Sequence, residues 1–117
     1  MEGSDTPLMA IERVRVTVDA RRIDELCDAF RSLIGPGRAE RGCLRCEVFC
    51  GLPEANTVLV ESLWKTQEDL IQHLRSDRYK SFLQLVETSI EQPSIEFFLV
   101  AQVSDLEMVK EVRNSRM

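Results

Sequence analysis

Residues 43–64, CLRCEVFCGLPEANTVLVESLW, hold two runs of alternating polarity on either side of a turn-rich linker. In the first run Leu44, Cys46, Val48 and Cys50 share one side, and Cys43, Arg45, Glu47 and Phe49 share the other. The second run, TVLVESLW, begins after GLPEAN. A period of two marks a strand, and two such runs around a short loop predict an antiparallel hairpin. The period then changes at once. Thr66, with Asp69 three residues on, reads as a helix start, and Leu70, Ile71 and Leu74 form the apolar side. Ser76 re-caps a continuation whose stripe is Tyr79, Phe82, Leu83, Val86 and Ile90, with Pro93 as its stop.

Upstream, AIERVRVTVD at 10–19 alternates, with Val14, Val16 and Val18 on one face and Arg13, Arg15 and Thr17 on the other. Asp19 is a helix cap, and Ile23, Leu26, Cys27, Phe30, Leu33 and Ile34 make a helical stripe that GPG at 35–37 is expected to end. Downstream, SIEFFLVAQV at 94–103 is apolar on both faces, which predicts a strand covered on two sides. The chain thus divides into a flexible leader (1–8), one domain (9–103) and a tail (104–117) whose DLEMVKEVR suits a short helix. The order strand, helix, strand, strand, helix, strand predicts an α+β, ferredoxin-like βαββαβ fold with an antiparallel sheet. Two helices cover one sheet face only. A second copy of the chain is the expected cover for the other, which makes a homodimer.

At 117 residues there is room for one domain. A net charge of −5 lacks the basic footprint of a nucleic-acid partner and disfavours an anionic membrane surface. Runs such as FFLVA are too short to span a bilayer, and the acidic start MEGSDTPLMA is unlike a signal peptide, so the cytoplasm is the expected location. There the four cysteines, Cys27, Cys43, Cys46 and Cys50, are expected as thiols. Their spacing matches no zinc or iron–sulfur pattern. On a strand Cys43 and Cys46 point apart, and Cys46 and Cys50 lie about 13 Å from each other. No metal is expected.

In this order of elements, RGCLRCEVF (41–49) and VLVESLWKTQEDLIQHLRSDRYKSF (58–82) resemble the antibiotic biosynthesis monooxygenase domain family, whose members are dimeric α/β barrels. The resemblance rests on Gly42 and Leu44, on Glu61 and Trp64, and on His73, Leu74, Ser76 and Tyr79, and it covers about residues 10–103. The family spaces its Glu and Trp by two residues, and here Leu63 makes the spacing three. Strict alternation then puts Glu61 and Trp64 on opposite faces, unless a β-bulge near Ser62 reunites them.

The resemblance implies a cofactor-independent monooxygenase that uses O₂ on a quinol-like or polyketide aromatic. An electron-rich phenol, once deprotonated, can pass an electron to O₂ by itself. The protein need supply only a base, an apolar pocket and exclusion of water. Haem-degrading relatives carry an axial histidine where this chain reads KSFLQLVET, so haem is not expected. The implied catalytic residues are His73, Trp64 and Glu61, with Tyr79 and Phe49 against a small aromatic molecule. Each also has a structural reading. His73 can bond a backbone group, Trp64 can pack at the strand–helix junction, Glu61 can pair with Arg13, Arg15 or Arg45, and Tyr79 can be core. The alternative function is a non-catalytic dimeric module that binds a small apolar ligand or serves as an accessory subunit. A cavity ringed by polar groups favours the enzyme, and a filled barrel favours the module.

Overall fold

The computed structural model describes residues 8–115, so all of the expected leader except Leu8 lies outside the described residues. Strands β1 (Met9–Thr17), β2 (Cys43–Cys50), β3 (Thr57–Trp64) and β4 (Ser94–Val100) form one antiparallel sheet in the order β2-β3-β1-β4. Helices α1 (Ile23–Gly37), α2 (Gln67–Leu74), α3 (Asp77–Val86) and α4 (Leu106–Asn114) complete it. This is the expected ferredoxin-like order, with the second helix divided into α2 and α3.

Register explains the core. Val14 opposes Val60 and Val16 opposes Val58, so four β-branched side chains rise together from one face of the sheet. Onto them pack Phe30 of α1 and Phe82 of α3, edge to face with ring centroids 5.8 Å apart. Full burial of each such ring contributes about 1.5–3 kcal/mol.

Helix boundaries follow local chemistry. The Asp19 carboxylate accepts from the Arg21 N–H at 2.9 Å and starts a single 3₁₀ turn, Ala20–Arg22, that leads into α1. GPG does not end α1, contrary to expectation; the helix runs to Gly37. Proline fits helical φ and forfeits one hydrogen bond. The chain recovers by tightening, as Arg38 and Ala39 donate to the Gly35 and Pro36 carbonyls at 3.2 and 3.1 Å. Thr66 caps α2 by accepting from the Asp69 N–H at 3.0 Å. The Ser76 hydroxyl then serves two helices. It donates to the His73 carbonyl of α2 at 2.7 Å and accepts from the Tyr79 N–H of α3 at 3.1 Å. One side chain thereby fixes the angle between His73 and Tyr79.

The α3 stripe is narrower than predicted. Tyr79, Phe82 and Val86 are buried, whereas Leu83 and Ile90 are 38% and 61% exposed. Leu83 lies about 100° around the axis from Phe82, and Ile90 falls beyond the helix end. A second correction concerns sulfur. Cys27 of α1 and Cys50 of β2 are joined in a disulfide, with Cα atoms 6.2 Å apart, and only Cys43 and Cys46 are free thiols. The bond arises because Cys27 belongs to the buried side of α1 while Cys50, opposite Val58, points up at it.

Strand β4 is covered on neither side by the described residues of one chain. It is an edge strand, and Ile95, Phe97 and Leu99 on one face and Phe98 on the other are all exposed. The expected terminal helix forms as α4 but buries none of its residues. Among the described residues, no helix is long and apolar enough to cross a membrane.

Candidate functional site

A bulge decides which side chains meet. Cys50, Val48 and Cys46 oppose Val58, Val60 and Ser62 in regular pairing, and then the register shifts between Arg45 and Cys43, so that Cys43 opposes Trp64. The extra residue turns Cys43 to the same helix-covered face as Cys46, which corrects the expectation that the two point apart. Strand β3 is regular along its whole length against β1. No bulge occurs near Ser62, and Glu61 and Trp64 stand on opposite faces. Just before the bulge, Gly42 has φ +82°, and a Cβ there would collide with the Asp69 carboxyl group. Lys65 N–H donates to the Gly42 carbonyl at 2.8 Å. Only glycine allows the turn at 38–42 to close so tightly on the start of α2.

Under that turn lies a cavity of about 30 Å³ between α1, the sheet and the α2–α3 pair, lined by Glu12, Glu40, Cys43, Cys46, Trp64 and His73 among others. It has room for one or two water-sized molecules. Trp64 is fully buried and donates from Nε1 to the Ser62 hydroxyl at 2.9 Å. Its ring stacks on His73, with centroids 4.4 Å apart and planes 28° from parallel, and His73 meets Tyr79 edge-on at 5.1 Å. His73 Nδ1 lies 2.9 Å from Glu40 Oε2, and Nε2 lies 3.6 Å from Glu12 Oε1. Glu12, only 3% exposed, accepts from the Tyr79 hydroxyl at 2.6 Å. Glu40 has a second cation, Arg78, with Nη1 at 3.7 Å.

An ionised carboxylate only accepts, so Nδ1 carries the proton toward Glu40. A proton on Nε2 makes the Glu12 contact an ion pair, and without it a lone pair faces a carboxylate. Both ring nitrogens of His73 thus face carboxylates. Burial, then the charge of Glu12 and its hydrogen bond, pushes the Tyr79 hydroxyl well above the usual phenol range, so Tyr79 stays a donor. Burial, with the neighbouring Cys43, pushes the Cys46 thiol up to about 12, against a smaller opposing pull from Arg38. Burial, then Glu40, also raises Cys43. Near neutral pH these walls are thiols, not thiolates. Among the described residues, no group of three or more His, Cys, Asp or Glu is arranged to hold a metal ion.

Of the residues singled out in the sequence, the fold brings Trp64, His73 and Tyr79 together. Glu61 and Phe49 are elsewhere, on the opposite face of the sheet. There Glu61 pairs with Arg13 at 2.7 Å, as in its structural reading, and Phe49 opposes Leu59. Two residues of the cluster went unseen. Glu12 had a signal, since it is in phase with Val14, Val16 and Val18, and a charge on the buried side of a strand demands partners. Glu40 sits in an irregular turn and had none.

Comparison with known proteins agrees with this fold. A Synechocystis protein of uncharacterized function is 22% identical over 107 residues, spanning 91% of this chain and 71% of its own. A conserved protein from Methanosarcina mazei Go1 superposes with a TM-score of 0.71 at 25% identity, covering 81% of this chain and 95% of its own. A Caulobacter crescentus CB15 protein, provisionally assigned as an antibiotic biosynthesis monooxygenase, gives 0.71 at 20% identity, over 83% and 93% of the two chains. The model of the family described as antibiotic biosynthesis monooxygenase matches residues 9–85, from β1 through α3 and across every residue of the cavity cluster named above. The chain belongs to the antibiotic biosynthesis monooxygenase family.

Proposed function

We propose that the protein is a cofactor-independent monooxygenase of quinol-like or polyketide aromatics, with His73 as the proton acceptor. The observation that carries this reading is the buried Glu12–His73 contact against Trp64, on the wall of a small cavity. The substrate phenol passes its proton to His73, and Glu12 stabilises the imidazolium. The phenolate supplies electrons to O₂. One oxygen atom enters the substrate as a new carbonyl and the other leaves as water, which takes back the proton held by His73; a CH₂ carbon provides all four electrons, or a ring CH carbon provides three and the phenol carbon the fourth. Trp64 and Cys46 line a dry site for this exchange. Tyr79 acts through Glu12, holding its carboxylate in place. Glu61 and Phe49 have no place in this scheme.

Oxygen uptake with a panel of hydroquinones and anthrones tests it. His73→Ala is expected to lower turnover about 10²- to 10⁴-fold. No uptake with any member of the panel, or unchanged turnover in His73→Ala, counts against it. The size of the cavity favours a second reading, a non-catalytic ligand-binding or accessory module. That reading predicts ligand binding with no oxygen consumed.

The same proposal includes a homodimer. Strand β4 leaves Phe98 uncovered on the open sheet face and Ile95, Phe97 and Leu99 uncovered on the other, and α4 leaves its apolar side chains exposed; a second copy packed against β4 and α4 would cover them. Light scattering that gives a 13.4 kDa species at micromolar concentration sinks the dimer. A cytoplasmic setting also belongs to this reading. There the Cys27–Cys50 bond is exposed to cellular reductants. Alkylation in intact cells is expected to label Cys27 and Cys50, and a retained bond would assign the protein to an oxidising compartment.

A further inference from the structure

The two carboxylates that flank His73 are held very differently. Glu12 projects from the middle of β1 and is locked by Tyr79. Glu40 comes from the turn between α1 and β2, and among the described residues its carboxylate has His73 and Arg78 as charged partners. Gly37 leaves the space it occupies, since a Cβ there would come within 3.4 Å of Glu40 Oε2. The Glu40 carboxylate therefore rests between an imidazole N–H and a guanidinium, at the edge of a cavity walled by an indole ring. A donor pair of this kind beside an aromatic wall suits the anionic end of a planar ligand. The cavity of about 30 Å³ is too small for such a ligand while Glu40 is in place. Moved out on its turn, Glu40 frees the two donors and adds its own volume to the cavity.

We infer that Glu40 is an internal stand-in for the ligand, and that the site takes aromatic anions, carboxylates or phenolates, which displace it from His73 and Arg78. The inference rests on the site reading above but not on turnover. It adds the charge of the ligand and the residue that competes with it.

Trp64 is the only tryptophan of the chain and stacks on His73, so its fluorescence reports occupancy directly. The test titrates the wild-type protein and Glu40→Gln with benzoate and with benzamide, its neutral isostere. Benzoate is expected to bind wild type about tenfold or more tightly than benzamide, the scale of one charge-assisted hydrogen bond. Glu40→Gln, which keeps shape and removes the competing charge, should raise benzoate affinity about tenfold and leave benzamide within about twofold. Arg78→Gln should weaken benzoate alone. Equal affinities for the two probes, or benzoate binding indifferent to Glu40→Gln, overturns the inference. As a second readout, about 50 mM acetate should raise the thermal midpoint of Glu40→Ala and not that of wild type, by refilling the vacated position. Absence of that rescue also counts against it. Benzoate binding with no oxygen uptake from any hydroquinone or anthrone of the panel would sink the oxygenase and leave this inference standing; oxygen uptake from the panel without charge preference between the two probes would do the reverse.

Discussion

On the covered face of the sheet, Glu12 is sealed from solvent with a tyrosine hydroxyl and a histidine as its partners. On the open face, one residue further along the same strand, Arg13 meets Glu61 with side chains 40% and 33% exposed. Both are carboxylates with a partner at hydrogen-bonding distance, yet they do opposite work. Water screens the Arg13–Glu61 pair, so it contributes little and fixes nothing nearby. Glu12 is buried, so its charge must be met by the groups packed around it, and every side chain that meets it is thereby oriented. A chemical site belongs on the face where polarity is costly.

The contrast is sharpest in the core. Phe30→Ala removes a fully buried ring from the covered face and should cost about 3–5 kcal/mol at any protein concentration. Phe98→Ala removes an exposed ring from the open face, where Arg13 lies 5.1 Å over it. Its cost should appear through association, growing with protein concentration in thermal or urea unfolding. A concentration-independent loss as large as that of Phe30→Ala would break the distinction between the faces. The carboxylates come next. Glu12→Ala orphans the Tyr79 hydroxyl and should cost about 2–3 kcal/mol, against less than about 1 kcal/mol for Glu61→Ala. Equal losses in urea denaturation would mean that the two faces are not differently solvated.

The last contrast is confined to alkaline pH. With the Cys46 thiol at about 12 in the folded protein, the native state keeps a proton that the unfolded chain releases near pH 9. Unfolding is then linked to proton loss, so stability is intact below pH 9 and falls as pH rises from there toward 12. Tyr79 is shifted in the same direction and adds to the decline. Cys46→Val removes the first contribution, and its denaturation midpoint should fall less steeply across that window than that of wild type. Parallel curves would mean that Cys46 is no more desolvated than a thiol of the open face.

What could be read from the sequence followed the range of the interactions. Period and capping are local, so the bounds of β2 and β3 and the caps at Thr66 and Ser76 were legible. Trp64 and His73 were legible as neighbours because a strand end and the helix after it are joined by two residues. The bulge at Leu44 was not, since strict alternation fits CLRCEVFC equally well; only the pairing with β3 and the squeeze of Gly42 on Asp69 reveal it. The Cys27–Cys50 bond links residues 23 apart through tertiary packing, which composition does not encode. Glu40 depends on where an irregular turn falls. Glu12 was readable by its phase alone, and its meaning depended on Tyr79, 67 residues away.

Strand β4 has a consequence for the life of the newly made chain. SIEFFLV combines aromatic and β-branched residues with a single charge, Glu96, and lies at a sheet edge with one row of backbone groups unpaired. That is the composition of a segment that nucleates cross-β assembly. If the proposed dimer forms, folding competes with aggregation for the same surface until a second copy arrives, and the outcome is set by how fast partners meet. Low expression with ample chaperone, or a lysine on the free edge, should recover soluble protein at the expense of pairing.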